Sequence, residues 1–135
     1  PQARKVYEAA RKLKVPVMIH TGNGVASALP SLVIPMAMEY PDVTFVLAHA
    51  GGGMFGSEAL VAAQVCPNIY LETSWCPVYV VKSFVEKLGC HRLMLGTDNP
   101  DNVGVELAKH YALHLSEEEL ALCLGETARK VFSLK

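Results

Sequence analysis

The sequence predicts an α/β domain of four consecutive βα units, a parallel sheet amounting to half of a closed eight-unit barrel. Three observations lead there. Short apolar runs stop abruptly at polar or glycine-rich segments in P-V-M-I-H-T-G, T-F-V-L-A-H-A-G-G-G and R-L-M-L-G-T-D-N-P, as buried parallel strands do. Helix-like segments alternate with these runs, each able to serve as the right-handed crossover that a parallel pair requires. The strand ends also recur in phase: His20 to His49 is 29 residues, His49 to Ser74 is 25, and Ser74 to Asp98 is 24. Complete eight-unit barrels average about 30 residues per unit, so the repeat fits barrel geometry while the length supplies four units.

Taken in order, residues 1–14 read as a helix, with Val6, Ala10 and Leu13 on one face and Arg4, Lys5, Glu8, Arg11 and Lys12 free to face water. Residues 15–19 form the first strand, and 20–24 the loop behind it. Residues 31–40 carry Leu32, Met36 and Tyr40 at helical spacing, and Pro35 restricts that helix because proline is tolerated only in a first turn. A second strand spans 43–48. Ser57 is placed to cap a helix over 58–65, which Pro67 and Asn68 end. The third strand is 69–72. Pro77 suits a first helical position, and Val81, Phe84, Val85 and Leu88 give that helix an apolar face before Gly89. The fourth strand is 92–96, followed by a short helix over 103–112. Ser116 with Glu119 three residues on is a capping box, and Gly125 separates a last helical piece over 127–132.

Length and composition bound the function. One domain is expected from 135 residues and 14.6 kDa, and 51% apolar residues with a mean hydropathy of +0.25 supply a core. The net charge of −1 and the absence of any basic cluster longer than Arg4-Lys5 or Arg129-Lys130 give nucleic-acid binding no support. No apolar run approaches the roughly 18 residues of a membrane span. The chain starts at Pro1 without a charged segment followed by an apolar one, so no signal peptide is expected, and that start suggests a trimmed or excised segment. Cys66, Cys76, Cys90 and Cys123 form no C-x-x-C pair. Buried thiols in a reduced, cytoplasmic protein are the expectation.

Barrel topology would bring His20, His49 and Asp98 to one rim, since every strand points its carboxyl end the same way. Alone, a strand-end histidine is commonly a hydrogen-bonded rim residue, and an aspartate in T-D-N-P a turn or cap residue. Their recurrence in phase favours a site. Two imidazoles and a carboxylate suit zinc or another divalent ion, with manganese or iron as alternatives. Trp75, Gly51, Gly52 and Asn99 are expected to meet the substrate, and Asn23 is a similarly placed polar neighbour. His91, His110 and His114 fall away from the rim and read as surface or packing residues. Gly51, Gly53 and Gly56, with Glu72 about 20 residues on, also outline a dinucleotide fingerprint. That reading leaves His20 and Asp98 unexplained; the milder one is that small residues let backbone approach a ligand. A half-barrel would expose two sheet edges and part of its inner face, so self-association or a complementing N-terminal half is expected.

P-V-M-I-H-T-G, V-L-A-H-A-G-G and L-M-L-G-T-D-N-P, with the closing G-E-T-A-R-K-V-F, resemble the C-terminal half of the amidohydrolase-related family of metal-dependent TIM-barrel enzymes. The resemblance runs from the helix before barrel strand five to the last helix. It implies that His20 is the strand-five metal ligand and that Asp98 is the strand-eight ligand and proton acceptor. His49, on strand six, would bind a second metal or activate water or substrate. The implied reaction is attack of metal-activated water on an amide, ester or lactone of a small molecule. Non-oxidative decarboxylation within the same family is the alternative, and a non-catalytic half-barrel binding module a further one. The family's first-strand H-x-H pair does not occur in this sequence, and its strand-four bridging residue would lie upstream. Glu126-Thr127 stands where the family commonly has an asparagine.

Overall fold

The computed structural model describes residues 2–134. The chain runs through α1 (Gln2–Leu13), β1 (Val17–His20), α2 (Ile34–Glu39), β2 (Phe45–Ala48), α3 (Gly56–Val65) and β3 (Ile69–Glu72), then α4 (Val78–Leu88), β4 (Leu93–Met94), α5 (Val103–Tyr111), α6 (Glu117–Ala121) and α7 (Thr127–Phe132). The sheet order is β1-β2-β3-β4, every pair parallel. Sequential order with a helical connection at each step is how a barrel wall is wound. The predicted helix start at Pro1 lies outside the described residues.

Register decides what each face carries. Val17 pairs with Phe45, Phe45 with Ile69, and Leu71 with Leu93, while His20 pairs with Ala48 and Glu72 with Met94. Because side chains alternate along a strand, Phe45, Leu47, Ile69, Leu71 and Leu93 share the helix-covered face and are fully buried. They cluster with Ala59, Ala62 and Ala63 of α3 and with Val81 and Phe84 of α4. Burying each large side chain contributes about 1.5–3 kcal/mol. Met18, Val46 and Tyr70, then His20, Ala48, Glu72 and Met94, fall on the opposite, barrel-interior face.

Several local expectations shift for identifiable reasons. Ser57 caps nothing: α3 begins at Gly56, with Phe55 as its N-cap. A Cβ on Gly56 would stand 2.6 Å from Val80 Cγ1, so glycine lets α3 start hard against α4. Pro77 is the N-cap of α4 rather than its first residue, with an extended ψ of 151°. Pro35 does sit in the first turn of α2, and the Ser116–Glu119 capping box is present, its bonds from Ser116 holding the Glu119 carboxyl below its ordinary pKa. The fourth strand is only two residues long. Arg92 instead turns to donate to the carbonyls of Ala63, Cys66 and Ile69.

Gly125 breaks nothing either. Leu122–Glu126 is π-helical and joins α6 to α7. The Cys123 carbonyl accepts from Leu95 N at 2.7 Å, which draws it toward the sheet and widens the helical turn. The same bond partly covers the β4 edge. The β1 edge is different: Val6, Leu13, Val15 and Met18 are about half exposed along a groove between α1 and β1. One expected open edge is therefore present and the other partly shielded. The four cysteines are free and buried, and burial pushes the Cys76 thiol up to about 12. Among the described residues, no helix is long and apolar enough to cross a membrane.

Candidate active site

A cavity of about 340 Å³ opens at the carboxyl ends of the strands, lined by His20, Thr21, Asn23, His49, Gly52, Gly53, Trp75 and Asp98. This is the small-molecule scale, where parallel α/β sheets keep their ligands. The rim backbone is held in an uncommon conformation. His49, Ala50, Trp75 and Asp98 have φ of 64°, 38°, 63° and 58°, a region that costs a non-glycine residue about 1–3 kcal/mol. Three of these four line the cavity, while Lys14, His114 and Ser133 adopt the same conformation elsewhere.

His20 and His49 meet edge to face with ring centroids 5.0 Å apart, and His20 Nε2 lies 3.3 Å from the Asn23 carbonyl. His49 Nε2 is 4.0 Å from Asp98 Oδ1. The other carboxylate oxygen of Asp98 accepts a 3.0 Å bond from the Trp75 indole N–H. Behind the rim, His49 Nδ1 is 2.7 Å from Ser74 Oγ, and Ser74 Oγ is 2.9 Å from Glu72 Oε2. Thr21 Oγ1 donates to the Ala48 carbonyl and accepts from Gly51 N, both at 2.9 Å, tying the loops after β1 and β2 together.

A buried polar group supports Trp75 from below. Glu106 Oε1 accepts from Trp75 N at 3.0 Å, its other oxygen pairs with Lys109, and Lys109 Nζ donates to the Thr73 carbonyl at 3.0 Å. His110 completes it: Nδ1–H donates to the Glu106 carbonyl at 2.9 Å and Nε2 accepts from Thr73 Oγ1 at 3.2 Å. Burial, the largest cause, lowers the His110 pKa below 6.5. The unfolded chain therefore binds this proton more readily than the folded one, so the contribution is intact above about pH 6.5 and erodes as pH falls below it. Thermal unfolding followed from pH 8 to pH 5 is expected to show Tm falling from about pH 6.5 downward, with a shallower decline in His110→Asn; parallel slopes would refute the assignment.

His20, His49, Asp98, Trp75 and Gly52 thus share one cavity. Gly51 and Asn99 do not line it: Gly51 is buried beneath, bonded to Thr21, and Asn99 caps the turn over Pro100–Asn102 by accepting from Asp101 N. Among the described residues, no three His, Cys, Asp or Glu side chains stand close enough to hold one ion. His20, His49 and Asp98 line one cavity without closing on a single ion position. The dinucleotide outline has no free acid, because Glu72 is committed to His49 N, Ser74 N and Ser74 Oγ. His91 and His114 are exposed and away from the cavity, and His110 is buried in packing, as expected. Thr21, Glu72 and Ser74 were not singled out as site residues from sequence. For Glu72 and Ser74 the available signal was E-T-S at a strand end, in phase with the repeat.

No curated protein matches the chain significantly by sequence. Solved structures do match its fold. A 5-carboxyvanillate decarboxylase from Sphingomonas paucimobilis aligns with a TM-score of 0.74 at 16% identity, over 96% of this chain and 52% of that one. A Pseudomonas putida protein provisionally named a 2-pyrone-4,6-dicarboxylic acid hydrolase aligns at 0.75 and 19% identity, over 100% and 57%. An amidohydrolase from Burkholderia multivorans with bound zinc aligns at 0.72 and 16% identity, over 96% and 56%. The chain spans about half the length of these relatives, as four of eight barrel units would. The family model for amidohydrolases matches residues 1–134; with four parallel βα units and their strand-end cavity, the chain belongs to the amidohydrolase family.

Proposed function

We propose that this chain supplies the strand-five-to-eight side of a divalent-metal active site for hydrolysis of an amide, ester or lactone in a small molecule. The carrying observation is the convergence of His20, His49 and Asp98 on one cavity. Their donor chemistry fits zinc or manganese, with His20 and Asp98 holding the ion and His49 either joining them or acting beside them. A divalent ion bound there polarises a carbonyl and brings the pKa of water toward 7. Asp98 Oδ1 would then take the proton from attacking water, and His49 Nε2, facing the same cavity, would join the ion or accept a proton beside Asp98. Trp75 walls one side and, through its indole N–H, holds Asp98 toward the cavity.

Likeness to a 5-carboxyvanillate decarboxylase supports a second reading, non-oxidative decarboxylation of an aromatic acid, in which carbon dioxide leaves and a proton takes its place on the ring carbon. The open β1 edge supports a partner on either reading: the complementary half of a barrel, or a second copy, pairing along β1 and covering Val6, Leu13, Val15 and Met18.

Metal content per chain tests the site. Elemental analysis after gentle purification is expected to find near-stoichiometric zinc or manganese in wild type and in His114→Ala, and at least tenfold less in His20→Ala and Asp98→Ala. Equal metal in Asp98→Ala and His114→Ala would remove the site. Release of carbon dioxide against release of acid then separates the two reactions.

A further inference from the structure

We propose that Glu72 and Ser74 are positioning residues for His49, fixing its neutral imidazole as the Nδ1–H tautomer so that the Nε2 lone pair faces the cavity beside Asp98. The inference rests on the reading of His49 as the working imidazole of that cavity, and adds what sets its orientation.

The hydrogen bonds allow one assignment. Glu72 is 4% exposed and accepts on both oxygens: Oε1 from Ser74 N at 2.6 Å, Oε2 from His49 N and from Ser74 Oγ, each at 2.9 Å. A carboxylate only accepts, so the single Ser74 hydroxyl proton goes to Glu72. Ser74 Oγ then has only lone pairs to offer His49 Nδ1 at 2.7 Å, and that nitrogen must carry the proton. Glu72 Oε2 is itself 3.7 Å from Nδ1, too far to bond, so the serine is the link. With Nδ1 protonated, Nε2 is the free nitrogen, 4.0 Å from Asp98 Oδ1.

The pairing of β2 with β3 explains how Glu72 and Ser74, at the exit of β3, reach the residue that follows β2. Glu72 ends β3, and the turn behind it brings Ser74 N and Oγ back onto the Glu72 carboxylate. Gly96 leaves the space: a Cβ there would stand 2.9 Å from Glu72 Cγ and closer still to the carboxylate. Holding Nε2 unprotonated serves either role open to His49, since a metal ligand and a proton acceptor both need that lone pair.

The tautomer can be read without metal or substrate. Two-bond 1H–15N correlation of the histidine rings, on the full chain in chelator at about two pH units above the ordinary histidine pKa, is expected to show His49 with a pyrrole-type Nδ1 and a pyridine-type Nε2. Ser74→Ala is expected to shift His49 toward the Nε2–H form while the Trp75 indole resonance stays dispersed. Glu72→Gln is expected to do the same, because an amide can donate to Ser74 and turn its hydroxyl proton toward Nδ1. A wild-type His49 found as Nε2–H, or two folded variants that keep the wild-type pattern, would overturn the proposal. Should Ser74→Ala not fold, the wild-type spectrum and Glu72→Gln decide it. Metal retention is measured separately, so either reading can fail while the other stands.

Discussion

Glu106→Ala is expected to lose about 3–5 kcal/mol of unfolding free energy, the cost of stranding one partner of a buried ion pair. Glu106 and Lys109 are 2% and 7% exposed, and without the carboxylate the Lys109 ammonium keeps only the Thr73 carbonyl. The same change removes the acceptor for Trp75 N, so a residue at φ 63° loses what holds it there. The indole is then expected to leave Asp98. Trp75 is the only tryptophan in the chain, so its fluorescence reports that step directly. Urea unfolding followed by this signal gives both quantities. A double change, Glu106→Leu with Lys109→Met, is expected to recover most of the stability, because a dry apolar pair carries no unpaired charge. A loss under about 1 kcal/mol for the single change, with unchanged fluorescence, would show that the pair holds neither fold nor rim.

Gly96→Ala is expected to cost about 1–3 kcal/mol through overpacking, and to disturb His49 from the far side of Glu72. The new methyl would occupy space now filled by the Glu72 carboxylate. Glu72 must swing away, giving up its bonds to Ser74 N and His49 N. Gly104→Ala is the contrast. Nothing lies within 4 Å of a Cβ there, and in the first turn of α5 alanine is expected to add about 0.4–1 kcal/mol by lowering unfolded-chain entropy. Thermal unfolding of the two variants side by side separates collision from backbone preference. Gly96→Ala as stable as wild type would show that Gly96 does not confine the Glu72 carboxylate.

How much of this was legible in the sequence follows the range of the forces involved. Apolar runs, breakers and the near-constant repeat determined four parallel βα units, because strand and helix periodicities are properties of neighbouring residues. The Ser116–Glu119 capping box and the place of Pro35 in a first turn were legible for the same reason. So was the common rim for His20, His49 and Asp98, which topology alone enforces once the strands are parallel. What only the tertiary structure decided lies between elements distant in sequence. Gly56 started α3 early because α4 is there to be approached; the Cys123 carbonyl turned to Leu95 and made a π-helical stretch where Gly125 read as a break. The support of the rim is of this kind as well. Glu72 reaches His49 across 23 residues and Glu106 reaches Trp75 across 31. A buried carboxylate is placed by whichever donors the packed fold leaves unpaired, and no local pattern in the sequence encodes that.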